Sequence, residues 1–205
     1  MDGQKEHIKS TIDDSYAEGL VNRQSAWWKR LFNVQLPYKW NINQLQLGFV
    51  LDVGCGIGRN LLHLKGNGIG VDHNPLSIKI CSERGLKAFL VDDFLKTAYC
   101  KPEYFDSILL AHVAEHLKPE EFDGILKAYL PYLKKGGQLV VITPQESGYK
   151  IDNTHVKFVD FKVVEGIFRE FGLETIKQYS FPFPRFVGKV FPYNEFVNVA
   201  RKPIA

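Results

Sequence analysis

Apolar and polar positions alternate along this chain in blocks that switch between strand length and helix length. Residues 48–53 form a short, nearly unbroken apolar run, the pattern of a strand buried on both faces. Residues 59–64 follow as a helix, stopped by Gly66 and Gly68. Residues 69–71 read as a second strand ending at Asp72. Asn74-Pro75 then opens a helix, because a polar cap precedes a proline that fits the first turn. That helix reaches about residue 84 and stops at Gly85. Residues 88–91 make a third strand ending at Asp92-Asp93, and residues 107–111 a fourth. A helix over 119–133 is closed by Gly136-Gly137. Strand 138–143, helix 161–171 and strands 173–179 and 195–200 complete the pattern. The last two strands are joined through Phe181-Pro182-Phe183-Pro184, which reads as a hairpin with a long excursion. Ahead of the alternation, residues 4–32 hold no proline and place Ile8, Ile12, Tyr16, Leu20 and Trp27-Trp28 on one helical face. Pro37 breaks that pattern, and the segment up to Leu45, with Trp40, links into the sheet.

Alternating strands and helices predict an α/β fold with a doubly wound, mostly parallel seven-stranded sheet and helices on both faces. The two closing strands have no helix between them, so one strand near the edge must run antiparallel. In such sheets ligands bind beyond the carboxyl ends of the strands. Asp52, Asp72, Asp92 and His112 stand at the ends of four successive strands. The first is followed by Gly54-Cys55-Gly56-Ile57-Gly58, a turn stripped of side chains on which a ligand can lie against the backbone. The helix beyond it points free N–H groups at that ligand.

Composition narrows the picture modestly. The 205 residues suffice for one domain with a full core. A net charge of +3, with no block of Lys or Arg, gives no electrostatic argument for nucleic acid. No apolar stretch reaches the roughly 18–20 residues of a membrane span, and the polar N-terminus leads into no signal core. Cys55, Cys81 and Cys100 cannot all pair with one another, which fits a reduced, cytoplasmic compartment. No carboxylates or histidines have metal-ligand spacing, so no metal is expected.

The glycine run departs from the dinucleotide fingerprint G-x-G-x-x-G, because Arg59 stands where the third glycine would be. Asp52-Val53-Gly54-Cys55-Gly56-Ile57-Gly58 instead resembles the loop of class I S-adenosylmethionine-dependent methyltransferases. The resemblance extends through Asp72, Asp92, the run Phe105-Asp106-Ser107-Ile108-Leu109-Leu110-Ala111, His112-Val113-Ala114-Glu115-His116-Leu117, and Leu133-Lys134-Lys135-Gly136-Gly137-Gln138-Leu139. It covers about residues 47–145 and is similar to the small-molecule, type 11-like branch, since no Asn-Pro-Pro-Tyr-type run follows the fourth strand. It implies a Rossmann-like methyltransferase fold and S-adenosylmethionine as cofactor, with S-adenosylhomocysteine as product.

The same resemblance implies cofactor contacts from Asp52, Gly54, Cys55, Gly56, Gly58, Asp72, His73, Asp92, Asp93, Phe94, Ala111 and His112. Asp72 would take the ribose hydroxyls, Asp92 the adenine amino group, and Asp52 the ligand's ammonium. Asp93 and Phe94 would add backbone N–H groups and an apolar wall.

Transfer to a hydroxyl benefits from a general base. His116 and His155 are the candidates carried forward, and His112 is a third. Tyr16, Arg23, Trp28, Tyr149 and His155 are the candidate acceptor contacts. Trp27, Phe183, Phe186 and Phe191 could join an apolar lid, and Arg185 and Lys189 lie beside it. The expected organisation is a single domain: a helical cap over 1–45, a cofactor core over 46–145, and substrate-side loops and closing strands over 146–205. The expected partner is a small-molecule methyl acceptor, without nucleic acid or a membrane span, on a monomer or homodimer. O-methylation is the expected reaction. Rival readings are a methyltransferase acting on RNA or protein, and a non-catalytic subunit that binds S-adenosylmethionine.

Overall fold

The computed structural model describes residues 35–204. The helix expected over 4–32 lies outside the described residues. The first described element is a helix, α1 (Leu36–Gln44), with Pro37 in its first turn. The segment expected to link into the sheet up to Leu45 is therefore helical over most of its length. At Pro37 the missing N–H would have had no helical partner, and the fixed φ suits the helix.

From there strands and helices alternate. They are β1 (Val50–Val53), α2 (Arg59–His63), β2 (Gly68–Asp72), α3 (Pro75–Glu83), β3 (Ala88–Leu90), a helical turn α4 (Val91–Phe94) and β4 (Phe105–Ala111). A 3-10 turn over Ala114–His116 leads to α5 (Pro119–Tyr129) and β5 (Leu133–Pro144). Then come α6 (Glu146–Lys150), α7 (Phe161–Glu170), β6 (Glu174–Phe181) and β7 (Glu195–Arg201). Asp92 and Asp93 therefore sit in α4, not at the end of β3, which stops at Leu90. The α3 start is as its sequence requires, with the Asn74 side chain accepting from Ser77 N–H at 3.0 Å.

The seven strands form one sheet in the order β3-β2-β1-β4-β5-β7-β6. Strands β1 to β5 are parallel, and β7 inserts antiparallel between β5 and β6. The order reverses between β1 and β4, which makes their carboxyl ends the switch point of the sheet. Side-chain alternation divides each central strand between two cores. Leu51, Val53, Ile108, Leu110, Leu139 and Val141 pack on one face with α5 and α7. Val50, Leu109, Val140 and Ile142 pack on the other with Ile42 of α1. Asp52 shares the parity of Val50 and so points toward the α1 side.

The excursion between β6 and β7 is tied down by buried amides. Asn194, fully buried, accepts from Phe183 N–H at 2.9 Å and donates to Gln145 Oε1 at 3.1 Å and Ser180 Oγ at 3.0 Å. Gln145 donates in turn to the Glu195 carbonyl at 2.9 Å. Removing one member strands the others away from water, at about 1–3 kcal/mol for each unpaired group. Asn194→Ala should therefore lower stability by about 2–4 kcal/mol, measured as a shift in the urea midpoint with m unchanged.

Candidate functional site

The glycine turn lies directly beyond β1 and rests on the end of β2. Gly54 N–H and Cys55 N–H both donate to the Val71 carbonyl, at 2.8 and 3.1 Å. Gly54, Gly56 and Gly58 all have positive φ, at 74°, 51° and 77°. At Gly54 a Cβ would meet Val113 Cγ2 at 2.5 Å. The loop after β4 thus fills the space that a side chain would need, and glycine is required twice over. Cys55 is buried, and the Cys81 thiol donates to the Gly56 carbonyl at 3.3 Å. The Arg84 guanidinium donates to the Ile57 carbonyl at 2.6 Å.

Asp72 braces this turn. Its Oδ2 accepts from Gly56 N–H at 2.7 Å and its Oδ1 from Asn74 N–H at 2.9 Å. A carboxylate has about four lone-pair sites, so two remain for a ligand. His73 is exposed beside it, Nδ1 3.7 Å from Asp72 Oδ1.

Asp52 is 1% exposed, and neither of its carboxylate oxygens has a hydrogen-bond partner. Burial pushes its pKa up from 3.8 to about 7; the neighbouring Asn60 amide and Arg59 partly oppose this, and Asp72 adds to it. The Asn60 amide lies near without meeting hydrogen-bond geometry. A buried acid with both oxygens unpaired is costly and therefore marks a place for a ligand donor.

The other expected cofactor residues are spread unevenly. Asp92 and Asp93 are exposed in α4, and Asp93 pairs with Lys96 at 3.1 Å. The Phe94 ring is fully buried against Phe105, Tyr129 and Tyr132. That corrects the expectation of an apolar ligand wall, because the core has taken the ring. Ala111 ends β4, and His112 follows with a left-handed φ of 59°. A non-glycine residue in that region is strained, and such strain gathers at functional sites.

The His112 ring lies between two buried carboxylates. Nδ1 is 3.1 Å from Glu115 Oε1 and Nε2 is 2.8 Å from Glu195 Oε1. Burial alone would lower its pKa, but the two carboxylates outweigh burial and raise it to about 9. At neutral pH His112 is an imidazolium with both N–H groups engaged. It cannot serve as the general base that its position suggested. Glu195 comes from β7 and carries no sequence signal, being 83 residues from its partner. A cleft of about 10 Å³, room for one water, is lined by Tyr38, Arg59, Asn60, Ala111, His112 and Glu195.

His116 and His155 meet on the far side of Glu115, with ring centroids 4.8 Å apart. His116 Nδ1 lies 3.0 Å from Thr154 Oγ1, whose hydroxyl donates to Asp152 Oδ1 at 2.6 Å. The hydroxyl proton being committed to Asp152, Thr154 Oγ1 accepts from His116 Nδ1–H. Burial lowers the pKa of His116 despite the nearby Glu115, so this ring is neutral with its lone pair on Nε2. His155 Nδ1 donates to the Tyr149 carbonyl at 2.7 Å, and the Tyr149 ring stacks on it at 5.2 Å. The fold thus brings Tyr149, His155 and His116 together.

Tyr16, Arg23, Trp27 and Trp28 lie outside the described residues. Phe183 and Phe186 are exposed on the β6–β7 excursion, where Phe191 packs edge-on against Phe183. Arg185 is not free for an anion, being paired with Glu146 and stacked over the Phe196 ring at 4.7 Å.

Residues 51–141, from β1 into β5, match the family model described as a methyltransferase domain. The fold is similar to a SAM-dependent methyltransferase from Archaeoglobus fulgidus, with TM-score 0.62 and 23% identity over 85% of this chain and 98% of that one. It is also similar to the complex between the Haloferax volcanii Trm112 methyltransferase activator and the putative methyltransferase, at TM-score 0.67 and 16% identity. That alignment covers 95% of this chain and 97% of the matched one. A TehB-like SAM-dependent methyltransferase from Corynebacterium glutamicum matches at TM-score 0.62 and 18% identity, covering 93% and 100%. No curated sequence relative matches. The sheet order and the glycine turn at the switch point give the chain the fold of class I S-adenosylmethionine-dependent methyltransferases. No helix among the described residues is long and apolar enough to cross a membrane.

Proposed function

We propose that this protein methylates an oxygen of a small-molecule acceptor, using one domain. Residues 1–45 would cap the site, 46–145 hold the cofactor, and 146–205 shape the acceptor side. The observation that carries the cofactor assignment is the buried, unpartnered carboxylate of Asp52 at the foot of the glycine turn. A ligand ammonium would satisfy it by a charge-assisted hydrogen bond. Gly54, Cys55, Gly56 and Gly58 would lie along the ligand, with Ala111 and His112 beside it. Asp72 would offer its remaining lone pairs to the ribose hydroxyls, next to His73. Asp92 would take the adenine amino group, near Asp93.

The bound cofactor supplies a methyl group on a sulfonium, a leaving group already activated. The protein's task is then positioning, and with a hydroxyl acceptor, proton removal. His116 and His155 are suited to this, since each has Nδ1 engaged and Nε2 left to face an acceptor. Tyr149 would line the acceptor side, together with Tyr16, Arg23 and Trp28. The fixed imidazolium of His112 would instead hold Glu115 and Glu195 in place. A cytoplasmic location accords with three free cysteines.

Thermal unfolding with S-adenosylhomocysteine tests the reading, with NAD as control. Ligand at about 100 times Kd adds about 2.7 kcal/mol, or roughly 5–10 °C for a chain of this size. Asp72→Ala should abolish that rise. A shift with NAD alone would overturn the assignment. Release of S-adenosylhomocysteine with hydroxylated small molecules, and not with RNA or protein, would separate this reading from its rivals. Cofactor binding without turnover on any acceptor class would favour a non-catalytic subunit.

A further inference from the structure

Spacing along the chain indicated no metal, but the fold assembles a donor set that spacing could not show. Glu115, His116 and His155 each present one ligand atom such that all lie within 4.8 Å of one another. We propose that these three residues form a binding site for a divalent first-row transition ion, zinc above all, with at least one coordination position left open.

Glu115 offers an unused donor atom. Glu115 is fully buried, its Oε1 is held by His112, and its Oε2 has no partner. A buried carboxylate oxygen without a donor is costly, and a bound cation would satisfy it.

The tautomers of both histidines are preset. A metal-binding histidine donates its other ring N–H to a carbonyl, carboxylate or equivalent acceptor, which orients the ring and fixes its lone pair. Both histidines meet this condition. His155 Nδ1 donates to the Tyr149 carbonyl, and His116 Nδ1 donates to Thr154 Oγ1. Behind the second stands Asp152, which accepts from the Thr154 hydroxyl and so sets the direction of the whole relay. Nε2 is then the available atom on each ring.

Two imidazoles and one carboxylate are a donor set for zinc, or for iron(II), with positions left for water or substrate. Magnesium prefers oxygen donors and is not suited to it. Zinc bonds of about 2.0–2.2 Å require the three donors, which stand within 4.8 Å of one another, to draw closer as the ion binds. Where the methyltransferase reading above holds, the open position would take the acceptor hydroxyl. The two imidazoles would then act as ligands and not as bases.

The test is direct titration of the tag-free, chelator-treated full chain with Zn2+ by calorimetry. Co2+ serves as a spectroscopic reporter and Mg2+ as control. The expected result is one Zn2+ per chain with micromolar or tighter Kd, and a cobalt visible spectrum of low coordination number. His116→Gln and His155→Gln should each weaken binding at least 100-fold. Thr154→Val keeps both ligands and should weaken it about 10-fold, which preserves the test where a histidine variant does not fold. Absence of stoichiometric Zn2+ binding to the wild-type chain overturns the proposal. So does binding that all three variants leave intact. S-adenosylhomocysteine titrated into the same samples separates the two conclusions. Cofactor binding without zinc binding sinks the metal site alone, and zinc binding without cofactor binding sinks the methyltransferase site alone.

Discussion

His112→Leu should destabilise the metal-free protein by about 3–5 kcal/mol, the usual cost of removing one partner from a buried ion pair. The imidazolium is all that separates the buried Glu115 and Glu195 carboxylates, 3.1 and 2.8 Å from its two nitrogens. Leucine leaves two buried acids without the cation between them. For a chain of this length the loss is roughly 6–20 °C in Tm. The pH dependence identifies the cause. The folded pKa of His112 is raised from 6.5 to about 9. Its contribution is therefore complete below pH 6.5 and is lost as pH rises through 9. At about 1.36 kcal/mol per pH unit of separation, wild type should lose up to about 3 kcal/mol across that window. Urea titrations at pH 6, 7.5 and 9.5 with chelator present would show it. A variant as stable as wild type at pH 6 would overturn this account of His112.

The second large effect is at Asp52, and it has opposite signs for stability and binding. The folded pKa is raised from 3.8 to about 7. Between those values the unfolded chain ionises while the folded one holds its proton, so stability falls as pH rises from about 4 to 7. The full fall is about 4 kcal/mol by the same conversion. Asp52→Asn removes the titration. The stability of the variant relative to wild type should then climb by up to that amount between pH 4 and pH 8. The buried amide exacts its own cost of about 1–3 kcal/mol for unpaired groups, so the net gain at pH 8 is smaller. Affinity for S-adenosylhomocysteine should fall 10- to 150-fold, matching the loss of a charge-assisted bond of about 1.5–3 kcal/mol. Calorimetric titration at pH 8 checks the second half. A variant that binds the ligand as tightly as wild type would remove Asp52 from the site.

Such a trade is a common property of binding sites, where unsatisfied groups held ready for a ligand lower the stability of the empty protein. The same logic separates Asp72 from Asp52. Both are buried acids at strand ends, yet Asp72 already accepts from two backbone amides and Asp52 from none. Only the second stands uncompensated.

Much of the architecture was legible from local chemistry. Strand–helix alternation, the proline and asparagine at the start of α3, and the connection between β6 and β7, which carries a 3-10 turn over Arg185–Lys189 but no α-helix, each have a short-range physical cause. Those causes suffice to place a glycine turn at the end of β1, and with it the site. The helix α1, where the sequence suggests a plain link into the sheet, has a local cause too. A proline that ends one helical pattern is equally able to begin another, and the residues around it do not decide between the two.

What the sequence by itself determined was therefore the order of elements, the sheet they must form and the backbone conformation of the glycine turn, because strand period, caps and positive φ are set by near neighbours. Tertiary structure alone decided which titratable groups face one another. His112 is a cation because Glu195, 83 residues on, closes against it. Phe94 is a core residue because Phe105, Tyr129 and Tyr132 surround it. Glu115, His116 and His155 share one spot because the 152–155 loop folds back onto the turn after β4, where Glu115's carbonyl accepts from Val156 and Lys157 N–H. Protonation and ligation depend on distance and desolvation, and neither is defined until the chain has closed on itself.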